Sequence, residues 1–483
     1  MNNKYIIALD IGSSSSRALA IDAQGKIIAR SSRPVETLRP MEGQAEIDAD
    51  VLWQGQRNML EEIAAQIGLE NIASLAITSQ RSTVVFWDKL TGKPLSAALS
   101  WQDGRAEIPA AASQLDKEFI HRLTGLYVTP YYSAAKIHWA LQHIQPVAQA
   151  AQAGRLCVGP LASYILWQLT GGKVFACDPT LAQRMLLFDI EKLDWSEELL
   201  DIFNVRREWL PQLKATCDKY GTWEKDGHSI PITVCVGDQQ AALCALRVFN
   251  GEACINYGTG AFFMRNTGGK CHFLPGLLTS VAASVSNDNR CEYLLEGPLN
   301  ACGTVFAWLG ALGIEVKQEE IDVLCEQAVA PISFLPALGG LGAPYWDFQI
   351  SPIMAGFSLH TTKADIVLGT VHALSYLMAD IVFYAERCGI SCQEIRVAGG
   401  LSQSRALLQS QADILQMSLI PCLESEGSAL GAALLAAPSV GIDASGWNTL
   451  EILNKIQPKI DADCAEERYQ RWHQFLNWCK SGK

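Results

Sequence analysis

The sequence predicts an α/β fold built as two similar halves, and three patterns point to it. The chain opens as strand, small-residue turn, strand: Tyr5–Leu9 is apolar, Gly12–Ser16 is small, and Ala18–Ile21 is apolar again. The same plan returns at Ala253–Tyr257, Gly258-Thr259-Gly260 and Phe262–Arg265. Between and after these openings apolar runs alternate with helical periodicity, which implies a largely buried sheet covered by helices.

The elements follow in order. Asp22-Ala-Gln-Gly25 is a second turn, and Ile27–Ala29 a third short strand. Leu52, Met59, Ile63 and Ile67 recur at helical spacing, with Asp48 or Asp50 as the N-cap. Strands are expected at Ile72–Thr78 and Val84–Trp87, and Ile108–Leu169 reads mainly as helices. Ile232–Val236 is a strand running into Gly237-Asp238-Gln239-Gln240 and an Ala/Leu helix. The first half ends near residue 248. After the second hairpin a helix-rich segment is expected. Strand Ile395–Val397, the Gly399-Gly400 turn, a helix from Ser402 to Met417 and a terminal helix over Asp463–Lys480 follow.

Composition narrows the function. The 483 residues are 49 % hydrophobic and 18 % charged, enough apolar material for sizeable cores. A net charge of -12 repels polyanions, which argues against a nucleic-acid or anionic-membrane binder. Fifteen cysteines without a CxxC pair fit a reducing cytoplasm better than a disulfide framework. The N-terminal apolar run is too short for a signal peptide, and no stretch reaches 18 uninterrupted apolar residues, so no membrane span is expected.

Four segments carry chemistry. Asp10-Ile-Gly-Ser-Ser-Ser-Ser-Arg17 puts a carboxylate at a strand end before a Gly/Ser turn. Backbone amides and hydroxyls there can bind phosphate, and the aspartate can hold magnesium through water; an ordinary hairpin turn reads the same way. Gly258-Thr259-Gly260 is a second such turn or a plain hairpin. Gly399-Gly400 lies between strand and helix, where a base or ribose could rest on backbone. Asp238 is either a helix N-cap or a general base desolvated by the helix behind it.

Taken together, these segments resemble the FGGY family of carbohydrate kinases, within the actin-like ATPase superfamily, most of all its glycerol-kinase branch. The resemblance rests on Asp10–Arg17, Ser79-Gln80-Arg81, Thr91-Gly-Lys-Pro94, Trp101-Gln102 and Gly125-Leu-Tyr-Val-Thr-Pro-Tyr131. It continues through Leu193-Asp-Trp195, Gly237-Asp-Gln-Gln-Ala-Ala242, Tyr257-Gly-Thr-Gly260, Gly340-Leu-Gly-Ala-Pro-Tyr-Trp-Asp347 and Val397-Ala-Gly-Gly400. It implies two actin-like (RNase H-like) lobes, residues 1–247 and 248–483, with a nucleotide cleft between them. It implies ATP and Mg²⁺, and transfer of the γ-phosphate to a hydroxyl of a small polyol or ketose. By the same resemblance Ser13, Ser14, Ser15 and Arg17 line the phosphates from the first lobe, and Thr259 from the second. Gly303, Gly400 and Ser404 meet the nucleotide, Asp10 positions the metal, and Asp238 is the base. Arg81, Ser82, Trp101, Tyr131, Gln239 and Phe262 form the acceptor pocket.

The chain also departs from the family. The Gln-Arg pair is followed by Ser82 where glycerol kinases have Glu, so a charged acceptor is replaced by a hydroxymethyl and volume is left. Losing one hydrogen bond to a charged group costs roughly 1.5–3 kcal/mol. Glycerol then binds poorly, or a bulkier acceptor fills the space. Trp101-Gln-Asp103 is reminiscent of pentulose kinases, and Asp103 is a candidate for the missing acceptor. Ala307 stands where Gln is usual, Ser404 where Asn is, and Ala373 where Glu is expected. An actin-like assembly protein without an acceptor is the reading from another class, and a homodimer or larger homo-oligomer is left open.

Overall fold

The computed structural model describes residues 4–285, 290–423, 426–448 and 451–482, so Met1–Asn3 of the N-terminal segment read above lie outside them. Two mixed sheets dominate. The first has six strands, in spatial order Thr222–Lys225, His228–Gly237, Ile72–Ser79, Tyr5–Ile11, Ser15–Ile21 and Ile27–Pro34. The second has seven: Leu278–Val285, Arg290–Leu299, Ala261–Gly268, Ala253–Tyr257, Glu394–Ala398, Ser418–Leu423 and Glu451–Ile452.

The two sheets share one plan. Tyr5–Ile11 is antiparallel to Ser15–Ile21 and parallel to Ile72–Ser79. Ala253–Tyr257 is likewise antiparallel to Ala261–Gly268 and parallel to Glu394–Ala398. A third antiparallel strand continues each hairpin, and a further parallel strand extends the other side. The duplication lies in strand pairing, where weak identity between the halves does not reveal it.

Tyr5–Ile11 is buried on both faces, as a central strand covered by helices must be. Ile7, Leu9 and Ile11 face a core shared with helix Ala49–Ile67. Asp48 caps this helix by accepting from the Val51 amide at 2.9 Å, which decides between the two candidates. Ile6 and Ala8 face the other way, toward helices Asp238–Ala245 and Gly427–Ala436. The second of these comes from the far end of the sequence yet packs on the first sheet. Its Gly431 permits the approach: a Cβ there would lie 1.7 Å from the Ala241 carbonyl oxygen. Helix Lys363–Arg387 is long and apolar enough to cross a membrane, but most of it is buried in the core of the second lobe.

One expectation holds with additions and one needs correction. Ile108–Leu169 is mainly helical, with a loop over residues 125–132 and a strand at Leu156–Pro160. The segment after the second hairpin is not simply helix-rich, because strands Leu278–Val285 and Arg290–Leu299 precede helix Gly303–Ala311. The Leu278–Val285 strand was hidden because it buries polar side chains. Thr279, Ser280 and Ser284 are inside, and Ser284 bonds Thr216 of the other half.

Gly431→Ala is expected to lower the unfolding free energy by about 1–3 kcal/mol, the usual cost of overpacking. Urea unfolding measures it, and an unchanged midpoint would mean the two helices have room to separate.

Candidate active site

Strand register brings the two aspartates together. Asp10 and Val236 both flank Thr78, one on each side, so Asp10 and the Gly237-Asp238 corner leave the sheet at the same end. Asp10 is 7 % exposed, and its carboxylate accepts no hydrogen bond among the described residues. Burial first, and then the Asp238 charge, push it up to about 7. Burial also raises Asp238, against the pull of Arg81. A buried carboxylate without donors suits a hydrated cation. Among the described residues no three His, Cys, Asp or Glu side chains converge, so the protein supplies few ligands itself. That fits Mg²⁺, which is bound largely by water and substrate phosphates.

A hydrogen-bonded chain joins the first turn to the acceptor loops. Gln80 Nε2 donates to the Gly12 carbonyl at 3.0 Å, and Thr83 Oγ1 donates to Gln80 Oε1 at 2.9 Å. The Trp101 amide donates to Thr83 Oγ1 at 3.0 Å, and the Trp101 indole returns to Ser13 Oγ at 2.9 Å. Gly12 is required where it sits, since a Cβ would lie 2.8 Å from the Ser15 carbonyl oxygen. Ser13, Ser14 and Ser15 stay at least partly open. Arg17 is fixed at 3.2 Å by Glu426, which precedes the Gly427–Ala436 helix.

Beside Asp238 lies a largely buried ion triad. Glu296, on strand Arg290–Leu299, accepts from Arg81 Nη1 at 2.8 Å and pairs with Arg184 Nη2 at 2.6 Å. Burial raises this carboxyl, but Arg184 and then Arg81 outweigh it and hold it at about 2. Arg81 Nε is 3.9 Å from Asp238. Phe262 pairs with Pro298, and Met264 with Glu296, so strand alternation puts Phe262 on the face that carries Glu296. Gln239 Oε1 and Glu296 Oε2 are buried acceptors without a donor. Buried acceptors seek donors, and a polyol's hydroxyls can supply them. Ser82 is held at φ 63°, and Lys136 Nζ bonds its carbonyl at 3.2 Å and that of Ser100 at 2.5 Å.

The second sheet repeats the arrangement. The Cys302, Gly303 and Thr304 amides donate to the Gly258-Thr259 carbonyls at 3.0–3.1 Å, docking the start of helix Gly303–Ala311 on the turn. Asn256 pairs with Ala398, and a Cβ on Gly399 would meet the Tyr257 carbonyl oxygen at 2.5 Å. Thr259, Gly303 and Gly400 therefore gather at one end of this sheet.

Comparison with known proteins agrees with this geometry. Residues 5–245 match the FGGY family of carbohydrate kinases, N-terminal domain, and residues 253–440 its C-terminal domain. The chain belongs to the FGGY family of carbohydrate kinases. It is 35 % identical to glycerol kinase 2 of Sulfolobus acidocaldarius, over 100 % of this chain and 99 % of that one. It is 34 % identical to glycerol kinase of Lactococcus lactis over 99 % of each. Plasmodium falciparum glycerol kinase with ADP superposes with a TM-score of 0.91 at 27 % identity, covering 99 % and 98 % of the two chains. A xylulose kinase from Rhodospirillum rubrum shares the fold, with a TM-score of 0.87 at 22 % identity over 99 % of each. This FGGY kinase is thus an ATP-dependent phosphotransferase with an alcohol acceptor on the actin-like fold.

Two expected site residues of the kinase, Asp103 and Ser404, sit otherwise than in their reading, and Tyr131 is more open to solvent than a closed pocket would leave it. Asp103 is not a substrate acceptor. It is fully buried, and its oxygens take the Ala45 amide at 2.7 Å and the Arg105 side chain at 2.7–3.0 Å. Tyr131 is half exposed, standing over Gly104, while its neighbour Tyr132 lies beside the Arg184–Glu296 pair. Ser404 is 3 % exposed and serves as an N-cap, with its hydroxyl on Asp322 at 2.7 Å. Glu296, Arg184, Lys136 and Glu426 were not read from sequence. The available signal was a lone charge inside an apolar run, as in Tyr293-Leu-Leu-Glu-Gly297 and Ala134-Ala-Lys-Ile137.

The triad sets a pH signature. Glu296 sits lower in the folded state than its ordinary 4.5, so it stabilises above that value and loses this as pH falls toward about 2. Glu296→Gln is expected to flatten the pH dependence of stability between those limits. It should also destabilise the protein at neutral pH by about 3–5 kcal/mol, leaving two buried guanidiniums without their carboxylate. Thermal melts from pH 2 to 7 check both.

Proposed function

We propose that this kinase moves the γ-phosphate of Mg-ATP to a primary hydroxyl of a small polyol or ketose, with Asp238 as the base. What supports the reading is that Asp238 stands 3.9 Å from Arg81, while the next residue, Gln239, carries a buried acceptor with no donor among the described residues. Arg81 and Gln239 hold the hydroxyl-bearing chain, with Phe262 and Trp101 against its C–H faces. The attacking hydroxyl gives its proton to Asp238 as its oxygen bonds to the γ-phosphorus and the bond to ADP breaks. Ser13, Ser14, Ser15, Arg17 and Thr259 hold the phosphates, with Gly303 and Gly400 against the nucleoside. Asp10 would hold Mg²⁺ through water, and the ion would supply neutralisation of phosphate charge. Phosphoryl transfer needs mainly this alignment and neutralisation.

Residues 1–247 form the acceptor lobe and 248–483 the nucleotide lobe, with closure excluding water. The fifteen cysteines are thiols and not disulfides, which supports a reducing, cytoplasmic setting. The acceptor-directed Asp238 and Gln239 argue against an assembly protein that uses nucleotide alone. Ser82 is the position that separates glycerol from longer acceptors, since its short side chain leaves room beside Arg81.

Two experiments test this. Asp238→Asn is expected to lower kcat by about 10²–10⁴-fold with ATP affinity retained, and near-normal turnover would remove Asp238 from the reaction. In a coupled ADP-release screen over glycerol, erythritol, xylulose and ribulose, Ser82→Glu is expected to shift kcat/KM toward glycerol by about tenfold or more. An unshifted preference would contradict the role given to Ser82.

A further inference from the structure

Away from the cleft, the second lobe contains a cavity of about 510 Å³ between helices Lys363–Arg387 and Ala462–Ser481 and strand Ser333–Leu335. Its size is that of a small-molecule site. Aromatic side chains line it: Trp472, stacked on Tyr376 at 5.5 Å, with Phe334 and Phe475 beside them. Its only charged lining groups are Arg468 and Arg471, one helical turn apart, with no carboxylate among them. Arg471 reaches Glu467, whereas Arg468 makes no ion pair or hydrogen bond among the described residues. His372 lines the same space, mostly buried and likewise without a hydrogen bond among them.

Leu368, His372 and Arg468 also line an adjoining cavity of about 380 Å³ whose other charged groups are Asp322, Glu326, Asp413, Arg405 and Lys459. Asp322 accepts from Ser404 Oγ and from the Arg405 and Ala406 amides at 2.7–3.0 Å, and so holds the helix that follows the Gly399-Gly400 turn. The cavity therefore adjoins the supports of the nucleotide turn without being part of the cleft.

We propose that this cavity is a second ligand site, for a small organic anion with a carboxylate or phosphate head on a planar or apolar body. A guanidinium fork matches either head. The aromatic walls take the body, and the imidazole adds one polar contact. The site binds an effector and not a second acceptor, because it offers no carboxylate to take a proton from a hydroxyl.

Titration calorimetry on the full chain tests this, with saturating Mg-ADP to occupy the phosphate cleft. The probes are phenyl phosphate, benzoate, inorganic phosphate and benzyl alcohol. At least one aromatic anion should bind at one site per chain, and the comparison of the two tells which head is preferred. Inorganic phosphate and benzyl alcohol should each bind at least about tenfold more weakly than that anion. Arg468→Gln should weaken the aromatic anion about tenfold or more, the loss of one charge-assisted contact. Both arginines reach the surface, and Arg471→Gln, which should also weaken binding, is a second variant if the first folds poorly. No binding of either aromatic anion at millimolar concentration, or undiminished binding in both arginine variants, overturns the proposal. So does benzyl alcohol binding as tightly as the anions.

Discussion

The acceptor side of the cleft depends on one buried carboxylate. Glu296 is fully inside the protein, held between Arg81 and Arg184 at 2.8 and 2.6 Å. It comes from the second sheet and both arginines from the first half, so the acceptor pocket exists only when the two halves are packed together. Removing three charges from water is costly, and only close pairing offsets it. The arrangement also divides Arg81 unequally. Its nearer partner is Glu296, while Asp238 lies 3.9 Å away. Asp238 is therefore held in position without being fully neutralised, as the role of proton acceptor proposed for it requires.

The phosphate side rests on a backbone constraint. In each sheet a hairpin turn lies beside the end of a parallel strand. Residues from well separated parts of the sequence therefore leave the sheet at one edge, where ligands of such folds bind. Asp10 and Asp238 meet on these terms in the first sheet, and Thr259, Gly303 and Gly400 in the second. The Gly431–Ala241 contact then sets the spacing of the helices behind them, and one of those helices begins at Asp238. Packing far from the strand ends thus fixes the position of Asp238.

Much of this was legible in the sequence. The two hairpin openings, the strand before Asp238 and the Gly-Gly turn follow from local apolar runs and small-residue punctuation, and the structure contains all of them. What stayed hidden was pairing at long range. Arg81 and Glu296 are 215 residues apart, and no local pattern joins them. Asp103 shows the converse: its place after Trp101-Gln102 made it a candidate acceptor for substrate, whereas folding buries it against the Ala45 amide and Arg105. The Leu278–Val285 strand escaped because its buried Ser280 and Ser284 are satisfied across the lobe boundary, by Arg184 and Thr216.

The most direct measurement is a crystal structure of the kinase with ADP, Mg²⁺ and a polyol that it turns over. One primary hydroxyl is expected within about 2.6–3.2 Å of an Asp238 oxygen, facing the vacated γ-phosphate position, with another hydroxyl on Gln239. A polyol seated away from Asp238, with Arg81 turned from it, would contradict the account.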